Sequence, residues 1–218
     1  MKALAWQRFF TEQREQHGKL IFSVAELANV SRTSLHNLNT ELGRLVRRGF
    51  ITRYAQGRYG LPQGVPPQTV IASLDPSAYV TGFYGLFLSH IVTQVPTEIT
   101  CFTNRRHSRQ DNRVTPAGRL KFICVPAYIY NKPPGKTSAE QALCDFCWLM
   151  LRSGIRPESL VTFKNLHSLK LRRLRTHLKH YPAEVGETVA QIVQNTLTCR
   201  SAFGNRQNDI DSPATDLQ

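Results

Sequence analysis

Over the first sixty residues the apolar positions change period several times. Trp6, Phe9, Phe10 and Gln13, spaced along a polar background, predict a helix ending near His17-Gly18. Lys19-Leu20-Ile21-Phe22 is a short apolar run of strand type. Ser23-Val24-Ala25-Glu26 has the spacing of a capping box, in which hydroxyl and carboxylate each satisfy a free backbone N–H at a helix start. A short second helix, Val24 to Ala28, is expected from it. Asn29-Val30 would make the turn, and Ser31 would cap a third helix running to Arg48 before Gly49 stops it. Phe50-Ile51-Thr52-Arg53-Tyr54 then reads as a strand, Ala55-Gln56-Gly57 as a tight turn, and Arg58-Tyr59-Gly60-Leu61 as the returning strand.

The third helix carries the most information. Leu35, Leu38, Leu42 and Leu45 recur at helical spacing, which predicts one buried side. At about 100° per residue, the opposite side presents Thr33, His36, Asn37, Thr40, Arg44 and Arg47, with Arg32 just before them. Such side chains hydrogen-bond at base edges or meet phosphates, and the one acid, Glu41, falls to a flank. Helix, strand, helix, helix, hairpin is the winged helix-turn-helix order, with Arg53 and Arg58 flanking the hairpin turn within reach of neighbouring phosphates. Residues 1–64 are expected to bind double-stranded DNA; a three-helix protein-binding module is the alternative.

Gly64-Val65-Pro66-Pro67 is the expected joint, since paired prolines continue neither a helix nor a central strand. Residues 66–200 read as a second, mixed α/β domain, so that the whole is expected to be of the mixed α/β (α+β) class. Gln68 to Leu74 looks helical, Ala78 to Thr81 extended and Phe83 to His90 helical. Ile99 to Thr103 and Leu120 to Val125 are strands by β-branched and aromatic content. Arg105 to Arg113 between them is a basic loop too polar to be buried. Thr137-Ser138-Ala139-Glu140 suggests a second capping box, opening an apolar helix through Leu151. Leu- and Arg-rich helices follow, notably Leu169 to Lys179, with Leu171, Leu174 and Leu178 on one stripe. Residues 201–218 are polar and aperiodic and are expected to be a disordered tail.

Charge sharpens this picture. The 218 residues carry 28 Lys and Arg against 15 Asp and Glu, a net charge of +13. The excess is +6 over residues 1–64, +4 over 65–135 and +5 over 136–200. A polyanionic partner is implied, nucleic acid before membrane. Arg105, Arg106 and Arg109 in the basic loop, and Lys170, Arg172, Arg173 and Arg175 in the Leu/Arg helix, form a candidate second nucleic-acid contact. No apolar run approaches the ~18 residues of a membrane span, and Met1-Lys2-Ala3-Leu4 leads directly into polar residues, so a cytoplasmic protein is expected. Five cysteines, mostly in apolar stretches, read as core residues.

The chemistry-bearing motifs argue against catalysis. Gly135-Lys136-Thr137 imitates the end of a phosphate-binding loop, but Tyr130 stands where the first glycine belongs, and Pro133-Pro134 lack the N–H donors. Cys144 and Cys147 form C-x-x-C within an apolar helix, with no second ligand pair at zinc spacing. His90 ends an apolar helix and reads as a satisfied or exposed helix-end histidine. Asp75, Glu98, Asp111, Glu140 and Asp145 are scattered across unlike elements and do not cluster as metal-dependent cleavage needs. A non-enzyme without metal or cofactor is the expectation. A nucleic-acid-processing enzyme is one alternative, and a stand-alone transcription factor with a ligand-sensing second domain is another.

Residues 20–165 contain a series of motifs similar to those of one family. They are Gly57-Arg58-Tyr59 in the hairpin, then Ile71-Ala72-Ser73-Leu74-Asp75-Pro76-Ser77-Ala78-Tyr79-Val80-Thr81-Gly82. Gly85-Leu86, His90 and Thr93-Gln94-Val95-Pro96 follow, and Thr137 to Asp145 stands where related chains carry a comparable "peraLlD" helix start. The chain resembles the AbiEi antitoxins of type IV toxin–antitoxin systems. It departs from them at Phe83-Tyr84-Gly85-Leu86, where many relatives have a small-residue "sAL", and after Thr196. The resemblance implies a first unit that binds repeats in its own operon promoter and represses it. It also implies a second unit that counteracts a nucleotidyltransferase-type toxin, with or without touching it.

Overall fold

A computed structural model describes residues 3–62, 64–107, 112–133 and 136–204. The fold is mixed α/β, with two sheets and a helical remainder. Two compact units emerge, one formed by residues 1–80 and 97–125, the other by residues 81–96 and 126–218. The division therefore does not fall at residues 64–66, where the paired prolines suggested it. Pro66 and Pro67 instead open helix α4 (Pro67–Leu74), and Arg58 Nε of the hairpin donates to the Ser73 carbonyl at 2.9 Å, tying that helix back to the first unit.

The first unit begins with α1 (Ala3–His17), β1 (Ile21–Ser23), α2 (Val24–Ser31), α3 (Leu35–Arg47), β2 (Thr52–Ala55) and β3 (Arg58–Gly60). The strands form an antiparallel sheet in the order β1-β3-β2, which completes the winged-helix arrangement. Its core is Trp6 and Phe10 of α1, Phe22, Leu27, Leu38, Leu42, Leu45, Ile51 and Tyr59, all buried. The capping box forms as expected: Ser23 Oγ accepts from the Glu26 N–H, and Glu26 accepts from the Ser23 N–H at 2.8 Å. Lys19, 2.6 Å from Glu26, holds that carboxyl below its ordinary value, aided by the Ser23 backbone bond. Gly57 takes φ +69 in the hairpin turn, a conformation that side-chain-bearing residues rarely adopt.

Three local expectations are corrected here. Helix α2 continues to Ser31, three residues past Ala28, and Arg32 (φ 52) closes it in the left-handed region. The third helix is then capped by Ser34, whose side chain accepts from the Asn37 N–H, and not by Ser31. Leu38, Leu42 and Leu45 are buried, but Leu35, the first residue of α3, is 57% exposed.

The rest of the first unit is α4 and a mixed sheet of β4 (Tyr79–Val80), β5 (Ile99–Thr103), β6 (Asn112–Thr115) and β7 (Gly118–Cys124), in the order β4-β5-β7-β6. β5 and β7 pair in parallel; the other pairs are antiparallel. Part of the expected loop at 105–113 is thus the edge strand β6, formed by backbone pairing of Asn112 to Thr115 with β7. Arg109 lies outside the described residues.

The second unit is helical: α5 (Gly82–Leu88), α6 (Ala139–Arg152), α7 (Pro157–Leu160), a 3-10 turn at Leu166–Ser168, α8 (Leu171–Leu178) and α9 (Ala183–Gly204). α6 is its centre, buried from Glu140 to Trp148. Gly85 of α5 meets Ala142 so closely that an added Cβ would sit 2.9 Å from the alanine methyl. Asp145, fully buried, accepts from Thr81 Oγ1 and from the Tyr181 hydroxyl. The α6 cap is displaced by one residue from expectation. Ser138 accepts from the Gln141 N–H, while Glu140 instead accepts from the Lys170 N–H at 2.8 Å. α9 extends through residues 201–204, so the stretch expected to be a disordered tail starts inside a helix, and residues 205–218 lie outside the described residues. In α8 Leu174 is buried, but Leu171 is exposed at the helix start, which breaks the expected leucine stripe.

Candidate nucleic-acid interface

The outward side of α3 is set by what its inward side hides. Leu38, Leu42 and Leu45 pack on Trp6 and Phe10, leaving His36, Asn37, Thr40, Arg44 and Arg47 in solvent. Glu41 accepts a 2.9 Å hydrogen bond from Trp6 Nε1, which satisfies a fully buried donor and fixes the rotation of α3 on α1. Thr40 Oγ1 donates to the His36 carbonyl at 3.1 Å, and Arg47 Nε lies 3.4 Å from the Gly43 carbonyl. Arg44 and Arg47 form no ion pair among the described residues. A cavity of about 520 Å³ runs between the start of α1 and this side of α3, lined by Ala3, Asn37, Thr40, Glu41, Arg44, Leu45 and Arg48.

The remaining candidates divide. Arg32 is exposed and Thr33 half-buried, both in the turn before α3 rather than on it. Arg53 is exposed on β2 beside the hairpin turn. Arg58 is half-buried and its guanidinium is engaged with the Ser73 and Gly57 carbonyls, so it braces the hairpin from inside the unit. Arg48, exposed at the C-terminal cap of α3, belongs to the same cavity wall as Arg44. Its place as the helix cap hid it from a reading by helical face.

The segment before β6 is not uniformly exposed. Arg105 and Arg106 are exposed, but His107 is tucked in, its Nε2 3.0 Å from Asp75. Asp75, 1% exposed, also accepts from Ser77 N and Oγ and from Thr103 Oγ1. Burial opposes its charge, but these bonds prevail and hold the carboxyl at about 2, below its ordinary value. Arg113 Nη2 lies 3.2 Å from His107 Nδ1, and both side chains sit against Phe122. A guanidinium can only donate, so His107 Nδ1 accepts from it and Nε2–H donates to Asp75. That arrangement leaves neither imidazole nitrogen to activate a nucleophile; the cluster joins β5, β6 and the loop after α4. Sequence order hid it, since 32 residues separate Asp75 from His107.

In the second unit, Lys170, Arg172, Arg173 and Arg175 are exposed. Arg172 and Arg173 line a concavity with the start of α6, while Lys170 and Arg175 are not part of its lining. Cys144 and Cys147 are buried, and burial pushes both thiols up, as expected of core cysteines; Cys124 is exposed. His90 is exposed and takes φ 58 at the end of α5, where its carbonyl accepts from Asn165. Among the described residues no group of three or more His, Cys, Asp and Glu is placed to hold a metal ion, and no helix is long and apolar enough to cross a membrane. No family model matches the chain, and no curated protein matches it.

Proposed function

We propose that the chain is a winged-helix DNA-binding repressor, with α3 entering the major groove of its operator. The observation that carries this reading is the exposed row His36, Asn37, Thr40, Arg44 and Arg47 on a helix whose opposite side is locked in the core. Asn37 and Thr40 would address base edges; Arg44 and Arg47, with Arg32 and Arg53, would meet guanine edges or phosphates. Exposed Leu35 at the helix start offers an apolar contact to a thymine methyl.

On the resemblance to AbiEi antitoxins, we further propose that the chain represses its own operon and counteracts a nucleotidyltransferase-type toxin encoded beside it. Gel-shift titration against the region upstream of its own reading frame tests the first proposal. Wild type is expected to prefer that fragment over a scrambled one, and Asn37→Ala is expected to lose about 1–3 kcal/mol of that preference. Equal affinity of wild type for both fragments would sink the operator assignment. Co-expression with the neighbouring reading frame, scored by growth, tests the second; failure of this chain to rescue growth from a toxic neighbour overturns it.

A further inference from the structure

Arg172, Arg173, Thr176 and His177 share one side of α8 and turn it toward the start of α6. With Pro133, Lys136, Ser138 and Gln141 they border an open concavity of about 470 Å³, within the ~300–1,000 Å³ typical of small-ligand sites. Three cations converge there, and none of them is in an ion pair among the described residues. Glu140, the carboxylate that feels Arg173, is buried and held by the Lys170 N–H; it offsets part of the Arg173 charge without forming an ion pair with it among the described residues. Burial pushes His177 below its ordinary value, with Arg173 and His180 acting the same way and Glu140 opposing, which leaves a neutral imidazole near pH 7. Ser138 and Thr176 add hydroxyls. Among the described residues no Phe, Tyr or Trp lines the cavity, so only the His177 ring and the two guanidinium planes could meet a base, and phosphate contacts dominate.

We propose that this cavity binds the polyphosphate of a small ligand of the nucleoside triphosphate class, recognised through its phosphates with little selection of the base. Guanidinium forks match phosphate oxygens in pairs, and Lys136 adds a point charge at the rim. The site goes beyond the repressor and antitoxin reading and stands without it.

Calorimetric titration of the full chain at fixed ionic strength tests this, using sodium tripolyphosphate, ATP and adenosine as probes. Tripolyphosphate and ATP are expected to bind at one site per chain with similar affinity, and adenosine not at all. Arg172→Gln with Arg173→Gln, both exposed positions, is expected to weaken binding about tenfold or more. Lys136→Gln, on the rim and outside every helix, provides the same test if the double variant fails to fold. Arg44→Ala with Arg47→Ala on α3 is expected to leave polyphosphate binding unchanged. The proposal is overturned if wild type shows no saturable tripolyphosphate binding, or if the cavity variants bind it as tightly as wild type. It is equally overturned if a 5′-phosphorylated oligonucleotide binds and tripolyphosphate does not.

Discussion

Helices α3 and α8 each hide leucines on one side and carry cations on the other. On α3 the polar groups from His36 to Arg47 run about 16 Å along the helix, at 1.5 Å per residue, and the last two arginines stand among uncharged hydrogen-bonding side chains. On α8 the groups from Arg172 to His177 fall within about 8 Å and face a hollow beside another helix. The first layout suits a long, regular polyanion that presents base edges; the second suits a compact anion. Counting charges would rank the two helices together. What separates them is the spacing of the cations and the shape of the surface beside them.

The sharpest way to break this comparison is to exchange the defects. Arg44→Ala with Arg47→Ala is expected to lower the salt slope of DNA binding by about two, one for each phosphate-binding side chain removed. Arg172→Gln with Arg173→Gln is expected to leave that slope in place. Salt-series gel shifts giving the two variants the same slope would erase the distinction between the helices.

A second prediction concerns how α3 is aimed. Glu41→Ala leaves the fully buried Trp6 N–H without its acceptor, at a cost of about 1–3 kcal/mol, measurable as a lower melting temperature. A melting curve identical to wild type would mean that this bond does not set the orientation of α3.

Gly43 sharpens the picture further. An added Cβ there meets nothing within 4 Å, so the fold has no need of glycine in mid-helix. Gly43→Ala is expected to raise stability by up to about 1 kcal/mol while reducing DNA affinity, because the bare backbone lies beside His36 and Arg47 on the proposed contact side. Improved stability with unchanged affinity would remove that flank from the interface.

A further prediction concerns Asp75. Its carboxyl titrates at about 2 in the folded chain, below the ordinary 3.8. Its contribution is therefore complete above the ordinary value and is lost as pH falls through the folded one. Asp75→Asn should flatten the decline of stability between about pH 4 and pH 2, as followed by acid unfolding; a decline as steep as in wild type would count against this role.

Much of the fold could be read along the chain because its signals are local. The Ser23–Glu26 box, the Gly57 turn and the β-branched content of β5 and β7 each announce an element within a few residues. Ser31-Arg32-Thr33-Ser34, by contrast, offers two serine hydroxyls for one cap, and the choice rests on Arg32 adopting a left-handed backbone. β6 shows no apolar alternation because it is an edge strand held by backbone pairing, with Val114 open to solvent. Leu35 and Leu171 have the right period but sit at helix ends that nothing covers. The α8 cavity was hidden because Lys136 and Arg173 are far apart in sequence and meet only when α8 folds against α6. The outward row of α3, by comparison, was legible from periodicity alone.

The chain's two tryptophans fall one to each compact unit. Trp6 is sealed in the first, its indole bonded to the helix proposed to meet DNA; Trp148 lies in α6, with the Arg152 guanidinium 5.4 Å from its ring. Exchanging Trp148 for phenylalanine leaves a chain whose tryptophan emission, excited selectively over tyrosine, originates from the first unit alone, and exchanging Trp6 leaves that of the second. The protein thus carries an intrinsic fluorophore in each half, so unfolding and ligand response can be followed separately without any attached dye.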